Sequence, residues 1–423
     1  MNSKIHVICL FLSFIWAAES TAQWTSLINP TNHWLYSIDV VTENIIYAGG
    51  YGGELAKTID GGQTWTSLNI GSADWVRSIQ FENANSGWIA GASGSINTSG
   101  RIMETTDGGQ TWTVLYTGGH YTEMQRVTPD VAYAGGFNAY FSKTTDRGQT
   151  WTDIALPINS NNTIIDICFL DPLNGYVVVN DMNSHVLKTN DGGQTWTILY
   201  QYGIKDVYFH TITEGYGIRT SGQTSYIMKT IDGGATFNDI FQINSIKMRR
   251  VYFANNMQGY AIGGLDYGNG SYIEKPAIYQ TLDGGQTWQN ITPSILNSTT
   301  ISFFDIETTP SGIPVVSGSF GTVLKGSLSL INGIPAVQAS EVSLNIFPNP
   351  ITNNLLTIQA DTELEQIRLF DLNGIEVRSV TPKTKSTNIN VDHLPAGTYM
   401  LNATTATGKT IPLQKVVKLP MQP

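Results

Sequence analysis

Six aspartates lie in nearly identical ten-residue surroundings and are the first candidates for chemistry in this chain. The first copy is KTIDGGQTWT (Lys57–Thr66), in which a carboxylate is followed by glycines, a threonine and an aromatic residue. Carboxylates are common catalytic acids and bases, so the motif is either an active-site motif used six times or a structural one. Its aspartate and aromatic positions are Asp60 and Trp65, Asp107 and Trp112, Asp146 and Trp151, Asp191 and Trp196, Asp232 and Phe237, and Asp283 and Trp288.

The order of residues in this motif is typical of a tight turn between two strands. Glycines accept positive φ angles, and an aspartate carboxylate can accept hydrogen bonds from the N–H groups of its own loop. Thr64 can add a hydroxyl hydrogen bond, and Trp65 can bury its ring between neighbouring repeats. The sequence therefore predicts a structural role for all six copies.

The spacing of the motif predicts a β-propeller. Successive aspartates are separated by 39 residues (Asp107 to Asp146) to 51 residues (Asp232 to Asp283), the length of a four-stranded blade. A seventh unit, Ile301–Ser327, lacks the motif and a fourth strand. Because QWTSL (Gln23–Leu27) nearly repeats TWTSL (Thr64–Leu68), we expect the N-terminal strand to complete that blade. Seven blades are predicted, with six or eight as alternatives.

Composition limits the classes of partner and the compartment. The chain has 423 residues, 13% of them charged, and a net charge of −10, which does not favour a nucleic-acid partner. Residues 1–22 have the positive, apolar and small-residue regions of a signal peptide, with an uncleaved anchor as the alternative. No other stretch is long and apolar enough to span a membrane, so none is expected in the mature chain. Cys168 would be the one remaining thiol, so no intrachain disulfide is expected.

The repeated motif resembles the Asp-box (BNR) repeat. The blade pattern as a whole is similar to that of photosystem II assembly/stability factor propellers. In this pattern a strand of the RSIQF type is followed by a small-residue strand such as GWIAGA (Gly87–Ala92) and then by the box. The resemblance covers residues 23–328 and implies a seven-bladed, non-enzymatic, protein-binding propeller. It does not imply photosynthesis.

Catalysis is not indicated by any other pattern. The six histidines have no metal-ligand spacing, and neither a G-x-S-x-G motif nor a phosphate-binding loop is present. Sialidases, which also carry Asp boxes, need three arginines, a tyrosine with a glutamate and an aspartic acid. Their first arginine belongs at LYSIDV (Leu35–Val40), which contains none. We expect no enzyme, metal or cofactor; a diverged sialidase-like or other glycoside hydrolase acting on extracellular glycans is the alternative.

The C-terminal part differs in composition and predicts a separate domain. Residues 329–343 are small and polar and are expected to be a linker. Residues 344–423 contain alternating strands, which predict a small immunoglobulin-like β-sandwich. Motifs within it resemble the type A C-terminal sorting domain of the type IX secretion system of Gram-negative bacteria; the matching positions include Phe347, Pro348, Asn349, Pro350, Gly374, Gly397, Lys415 and Lys418.

That resemblance implies handling by the type IX secretion machinery and removal of the domain, with the mature protein released or held at the outer-membrane surface. The alternative for this domain is a carbohydrate-binding sandwich. The overall prediction is an exported, non-catalytic binding module whose ligand is an extracellular protein or glycan.

One end of the ring is predicted to be the binding face. Side chains alternate along the innermost strands, so one set should point into the central channel. We expect that set to include Arg126 with Thr128 in blade three and Phe303 with Asp305 in blade seven. The full candidate face comprises Trp34, Tyr36, Trp75, Arg77, Arg126, Asp166, Asp206, Arg249 and Arg250. The alternative is a solvated channel in which arginines and aspartates neutralise one another.

Overall fold

The computed structural model describes residues 24–27, 31–93, 99–180, 184–199, 202–222, 224–264, 276–293, 296, 301–327, 344–348, 351, 354–371, 376–406 and 410–419. The predicted signal peptide and linker lie outside these residues. So do three of the sorting-domain positions, Asn349, Pro350 and Gly374.

Most of the described chain forms seven four-stranded antiparallel sheets, which are the blades of a β-propeller. Blade one comprises β2 (Leu35–Val40), β3 (Ile46–Gly50), β4 (Leu55–Thr58) and β5 (Thr66–Ser67); blade two β6 (Trp75–Phe81), β7 (Gly87–Ala92), β8 (Gly100–Thr105) and β9 (Thr113–Gly118); blade three β10 (Tyr121–Arg126), β11 (Ala132–Gly136), β12 (Phe141–Thr144) and β13 (Thr152–Asp153); blade four β14 (Thr163–Phe169), β15 (Gly175–Asn180), β16 (His185–Thr189) and β17 (Thr197–Leu199).

Blade five comprises β18 (Ile204–Phe209), β19 (Gly215–Ser221), β20 (Thr224–Thr230) and β21 (Asn238–Ile243); blade six β22 (Lys247–Phe253), β23 (Gly259–Gly264), β24 (Ala277–Thr281) and β25 (Gln289–Asn290); blade seven β26 (Phe303–Thr308), β27 (Pro314–Gly318), β28 (Val323–Lys325) and the N-terminal β1 (Thr25–Ser26). Short 3₁₀ turns follow the second strand of three blades, at Tyr51–Gly53, Phe137–Ala139 and Ser319–Gly321. The all-β architecture and the seven blades were both predicted from the repeat.

The predicted N-terminal strand closes blade seven. Thr25 pairs with Lys325 and Ser26 with Leu324 in antiparallel register. The N–H of Leu27 then donates to the carbonyl of Val323 at 2.9 Å. The first and last strands of the ring therefore share one sheet, which removes an exposed edge.

Each box is a self-contained turn. In blade one, Asp60 Oδ1 accepts hydrogen bonds from the hydroxyl of Thr58 at 2.8 Å and from the N–H of Thr64 at 2.9 Å, and Oδ2 accepts from the Thr64 hydroxyl at 2.6 Å. Gly61 and Gly62 have φ angles of 73° and 98°, which glycine adopts without strain. The Thr64 hydrogen bonds hold the pKa of Asp60 at about 2. The same hydrogen bonds recur in the other five boxes.

The boxes also connect neighbouring blades. Tyr47 of blade one stacks on Phe81 of blade two, with ring centroids 3.6 Å apart. Its hydroxyl and the Lys57 ammonium both donate to the carbonyl of Gly108, in the box of blade two. Equivalent tyrosine–phenylalanine stacks join blades three to four, four to five and five to six, at Tyr133–Phe169, Tyr176–Phe209 and Tyr216–Phe253.

The C-terminal strands form one hydrogen-bonded sheet of six strands: β29 (Leu344–Phe347), β30 (Leu355–Phe370), β31 (Glu376–Val380), β32 (Thr384–Asn390), β33 (Gly397–Thr405) and β34 (Thr410–Lys418). The first half of β30 pairs with β29 and β32, and its second half pairs with β31 and β33. Side chains from both halves, including Ile358 and Leu369, share one core. Among the described residues, no helix is long and apolar enough to cross a membrane.

Candidate functional site

All seven innermost strands contain a β-bulge at the same place. In β2, Leu35 pairs with Gly50 and Ser37 pairs with Gly49, so Tyr36 has no partner across the ladder. The register shifts in the same way in the other six inner strands. A bulge re-aims a side chain and is common at barrel rims. Gly50 allows the backbone of β3 to lie close to that of Trp34, because a Cβ at residue 50 would lie 1.7 Å from the carbonyl oxygen of Trp34.

The bulged residues line one cavity of about 330 Å³ at the end of the ring where the inner strands begin, which we call the inlet end. We name these residues the first ring; in blade order they are Tyr36, Arg77, Thr122, Ile165, Lys205, Arg249 and Phe304. Three are basic and two are aromatic. Glu123, Asn180, Asp206, Lys247, Met248 and Arg250 complete the lining.

The residue after each bulge forms a second ring deeper in the channel: Ser37, Ser78, Glu123, Asp166, Asp206, Arg250 and Asp305. Several of these side chains connect adjacent blades. Asp166 and Asp206 each accept the N–H of a residue in the next blade, from Val207 at 2.9 Å and from Val251 at 2.7 Å. These two predicted site residues therefore have a structural function as well as their position in the channel.

Arg250 is held by the carboxylates of the second ring. Its guanidinium donates to Glu123 at 2.8 Å and lies 3.4 Å from Asp305, 3.8 Å from Asp206 and 3.9 Å from Asp166. Although burial alone would lower it, these carboxylates hold the pKa of Arg250 well above its ordinary value. The predicted alternative of mutual neutralisation in the channel therefore describes this residue.

The channel carries more acidic than basic groups. Burial raises the pKa of Asp39 and that of Glu123 to about 7, and it also raises the pKa of Asp305 and Glu307. Because several carboxyls surround one guanidinium, the cavity floor is acidic and the first ring above it is basic.

Arg77 differs from Arg250 in having no acidic partner among the described residues. Its guanidinium lies over the rings of Tyr36 and Trp75, with the central carbon 4.1 and 4.6 Å from their centroids. Its Nε is buried and has no hydrogen-bond acceptor in the described ranges. Burial lowers the pKa of this side chain. A desolvated cation of this kind is a ready site for an anionic group.

The structure brings most residues of the candidate face close together. Tyr36, Arg77, Asp206, Arg249 and Arg250 line the inlet cavity. Trp34 and Trp75 lie beside it, with ring centroids 6.3 and 5.9 Å from that of Tyr36. Asp166 lies deeper, in the channel.

The prediction for blade three was wrong in register, and Arg126 is not at the inlet end. Its strand ends at Arg126, whose guanidinium pairs with Glu82 at 3.0 Å and lies over the ring of Trp88 at 4.4 Å. Both partners belong to the opposite, outlet end of blade two. The second-ring residue of blade three is Glu123, two residues after the buried Tyr121, and the pair Arg126 and Thr128 does not face the channel cavity.

In blade seven, one of the two residues assigned to the channel was wrong. Asp305 was assigned correctly, but its channel partner is Glu307 rather than Phe303, which is buried. The adjacent Phe304 belongs to the first ring. Thr122, Ile165 and Lys205 were not singled out; the sequence signal for them is one extra residue between the apolar position and the polar position of each inner strand.

The boxes lie at the outlet end, away from this cavity. β4 enters its box at Thr58, which pairs with Ile46 at the end of β3 distant from Gly50. No group of acidic, histidine or cysteine side chains in the described residues could hold a metal ion.

In the C-terminal sheet, Lys418 is buried and donates to three carbonyl oxygens, of Val391, Asp392 and Leu394, at 2.6 to 3.2 Å. Phe347 is half exposed beside Pro348, Gly397 begins β33, and Lys415 lies in β34. Lys418 thus fixes the loop before β33.

Two family profiles match the sequence. The family described as photosynthesis system II assembly factor YCF48 matches residues 16–117 and 143–325, well over half of the chain. The family described as secretion system C-terminal sorting domain matches residues 345–418. Comparison with curated protein sequences gives no match.

Similar folds occur among solved structures. YCF48 from Cyanidioschyzon merolae has a TM-score of 0.59 at 18% identity, over 73% of this chain and 100% of that one. YCF48 bound to D1 peptide has a TM-score of 0.57 at 17% identity, over 72% and 96%. The GH74 enzyme of Niastella koreensis has a TM-score of 0.54 at 14% identity, over 93% and 67%. At these identities the similarity shows the fold.

Both predicted resemblances are confirmed by these matches. The C-terminal domain marks the chain for export by the type IX secretion system, to the cell surface or to the outside.

Proposed function

The chain belongs to the family of the photosynthesis system II assembly factor YCF48, and from this premise we propose that it is an exported, non-catalytic binding propeller. Its ligands are carboxylate-bearing peptide segments of other proteins, which bind at the inlet cavity. A member of the same family has been solved with a D1 peptide, which supports a peptide as the ligand class.

The observation that carries the proposal is Arg77. Two aromatic rings hold its guanidinium at the cavity wall, and the part of the chain that the structure describes offers it no acidic partner. A ligand carboxylate would supply that partner, and charge-assisted hydrogen bonds of a guanidinium in a desolvated site are among the strongest in proteins. Lys205 and Arg249, which also belong to the first ring, add positive charge. Arg250 adds little, because its charge is already matched by Glu123 and its neighbours.

A glycoside hydrolase is the second candidate, and one observation favours it. Arg77, Arg249 and Arg250 line the same cavity as Tyr36 and Glu123, the residue types that sialidases use. Two features argue against it. Burial raises the pKa of Tyr36, which disfavours a phenolate nucleophile, and Arg250 is engaged by carboxylates of its own chain.

The experiment compares the full exported protein with its Arg77→Gln variant on an array of peptides that end in free carboxylates and on a glycan array. We expect peptide binding by the parent, a loss of at least roughly tenfold in the variant, and weaker binding at higher salt.

The matched control is Arg219→Gln, because Arg219 also lies over a tyrosine ring, Tyr226, but is paired with Asp239. Unchanged binding by the Arg77 variant, or binding confined to glycans, would refute the proposal. Release of the fluorophore from a fluorogenic sialoside would establish the hydrolase instead.

A further inference from the structure

A continuous strip of aromatic side chains runs outward from the inlet cavity over blades seven, one and two. Phe304 contacts Tyr36 with ring centroids 5.4 Å apart, Tyr36 contacts Trp75 at 5.9 Å, and Trp75 contacts Tyr51 at 4.8 Å. Tyr51 then meets His33 at 5.6 Å. We call these residues, with Trp34, the aromatic strip. Exposure increases along it, from 8% at Phe304 to 44% at Tyr51.

The outer end of the strip is joined by a phenylalanine in a strained conformation. Phe320 is half exposed and has a φ of 56°, in the 3₁₀ turn of blade seven. The N–H of Gly321 donates to the carbonyl of His33 at 2.6 Å, which places this turn beside the strip.

The equivalent turns of blades one and three have Gly52 and Asn138 at the position of Phe320, with φ of 71° and 59°. Glycine and asparagine tolerate this backbone region, whereas a bulky aromatic residue is an outlier there. Such strain is typical of functional positions, where the side chain matters more than local stability.

The arrangement favours a peptide over a sugar as the occupant. Sugars stack on flat ring faces, but the Arg77 guanidinium lies over both Tyr36 and Trp75. The strip therefore presents ring edges and tilted rings, against which apolar side chains can pack. Its inner half lies at two guanidinium groups, because Arg249 also lies over the ring of Phe304 at 4.9 Å, so charge complementarity requires an acidic group at one end of the occupant.

We propose that the aromatic strip and Phe320 hold the apolar side chains of an extended peptide whose carboxylate is bound at Arg77. This rests on the proposed function and adds the chemistry of the residues beside the carboxylate. From Trp75 outward through Tyr51 to His33 the ring centroids are 4.8 and 5.6 Å apart, so about 10 Å of the strip lies beyond Arg77, which an extended chain covers in roughly three residues. The ligand class is thus an acidic terminus preceded by apolar residues.

The test uses two synthetic peptide pools, both seven residues long and ending in glutamate with a free carboxyl group. The six preceding positions are filled from leucine, proline and phenylalanine in one pool and from glycine and serine in the other. Affinities for the full protein are measured by fluorescence anisotropy. We expect the apolar pool to bind roughly tenfold or more tightly than the polar pool.

The deciding variant is Phe320→Gly. It removes the ring and relieves the strained backbone, so it should melt at an equal or higher temperature while binding the apolar pool at least roughly fivefold more weakly. Its affinity for the polar pool should not change. The matched control, Asn138→Gly, makes the same backbone change in blade three and should leave both affinities unchanged.

The outcomes separate the two proposals. Binding of both pools with equal affinity, or apolar-pool binding that Phe320→Gly does not alter, overturns the role of the strip but leaves Arg77 as the carboxylate site. Failure of both pools to bind refutes the proposed function and this inference together. A glycan ligand displaced by neither pool would also refute both.

Discussion

Substituting Arg250 by glutamine should destabilise the propeller strongly, and the effect should grow with pH. The side chain is three-quarters buried and forms a 2.8 Å hydrogen bond with Glu123, and it also donates to the carbonyl of Phe304 at 3.3 Å. Asp166, Asp206 and Asp305 lie within 4 Å. Glutamine retains a polar head but not the charge that these carboxylates share.

The magnitude follows from the uncompensated charges. Removing one partner of a buried ion pair costs about 3–5 kcal/mol, because the other charge stays in a poorly solvated site. For a ring of this size, 1 kcal/mol lowers the melting temperature by about 2 °C, so the expected decrease is roughly 6–10 °C at pH 8.

The pH dependence has a definite sign. In the folded parent the pKa of Glu123 and that of Asp39 are raised to about 7, against about 4 in an unfolded chain. Protonated carboxyls therefore favour folding, and the stability that they contribute is lost as pH rises from about 4 through 7. Without Arg250 the carboxyl pKa values rise further, so the difference between variant and parent should be smaller at pH 5 than at pH 8.

The assay is thermal unfolding of the full protein at pH 5, 6, 7 and 8, followed by circular dichroism. Arg101→Gln is the control, because Arg101 forms a more exposed pair with Asp74 at 3.4 Å. An Arg250 variant that melts like the parent at pH 8, or whose deficit is the same at pH 5 and pH 8, would show that the second ring is not an electrostatic network.

Three further predictions concern the box turns, the closure of the ring and the sorting domain. Asp107→Ala should lower the melting temperature, because it removes the hydrogen bonds to Thr105 and Thr111, while peptide affinity stays unchanged; loss of affinity at an unchanged melting temperature would contradict the structural role. Deleting Gln23–Leu27 should destabilise the ring, since blade seven loses its outer strand, and parental protease resistance would argue against closure by that strand. Removing Leu344–Pro423 should leave a folded propeller in the periplasm, and normal amounts of it in the medium or on the surface would count against a sorting signal.

The repeat made the fold predictable from one sequence. Each copy of the box fixes a turn by its own hydrogen bonds, so its meaning does not depend on distant residues. The similarity of Gln23–Leu27 to the strand after the first box was sufficient to predict the closure, because a propeller leaves one strand unpaired unless the ends meet. Pairing of Thr25 with Lys325 confirms that argument.

The candidate site was predictable only where the inner strands keep the usual pattern. Blade three reads YTEMQR, and its methionine occupies the position that isoleucine or valine holds in most other inner strands. Assigning Arg126 and Thr128 to the channel shifted the strand by three residues, which exchanged Glu123 for Arg126. Glu123, the partner of Arg250, was therefore missed. The difference between the paired Arg250 and Arg77 depends on a contact between blades six and three, which no single repeat reveals.

The bulge explains why one fold can carry a variable site. On each inner strand, the residues that flank the bulge pack between blades or bond to the next blade, as Val76 and Ser37 do. The bulged residue has no ladder partner and faces the cavity, so its side chain can change without disturbing the sheet. Blades one to seven accordingly place tyrosine, arginine, threonine, isoleucine, lysine, arginine and phenylalanine at this position. Under the proposed function, ligand specificity would reside at these seven positions, which the ladder of the sheet leaves unpaired, and this is why composition and repeat period predicted the propeller but not what it binds.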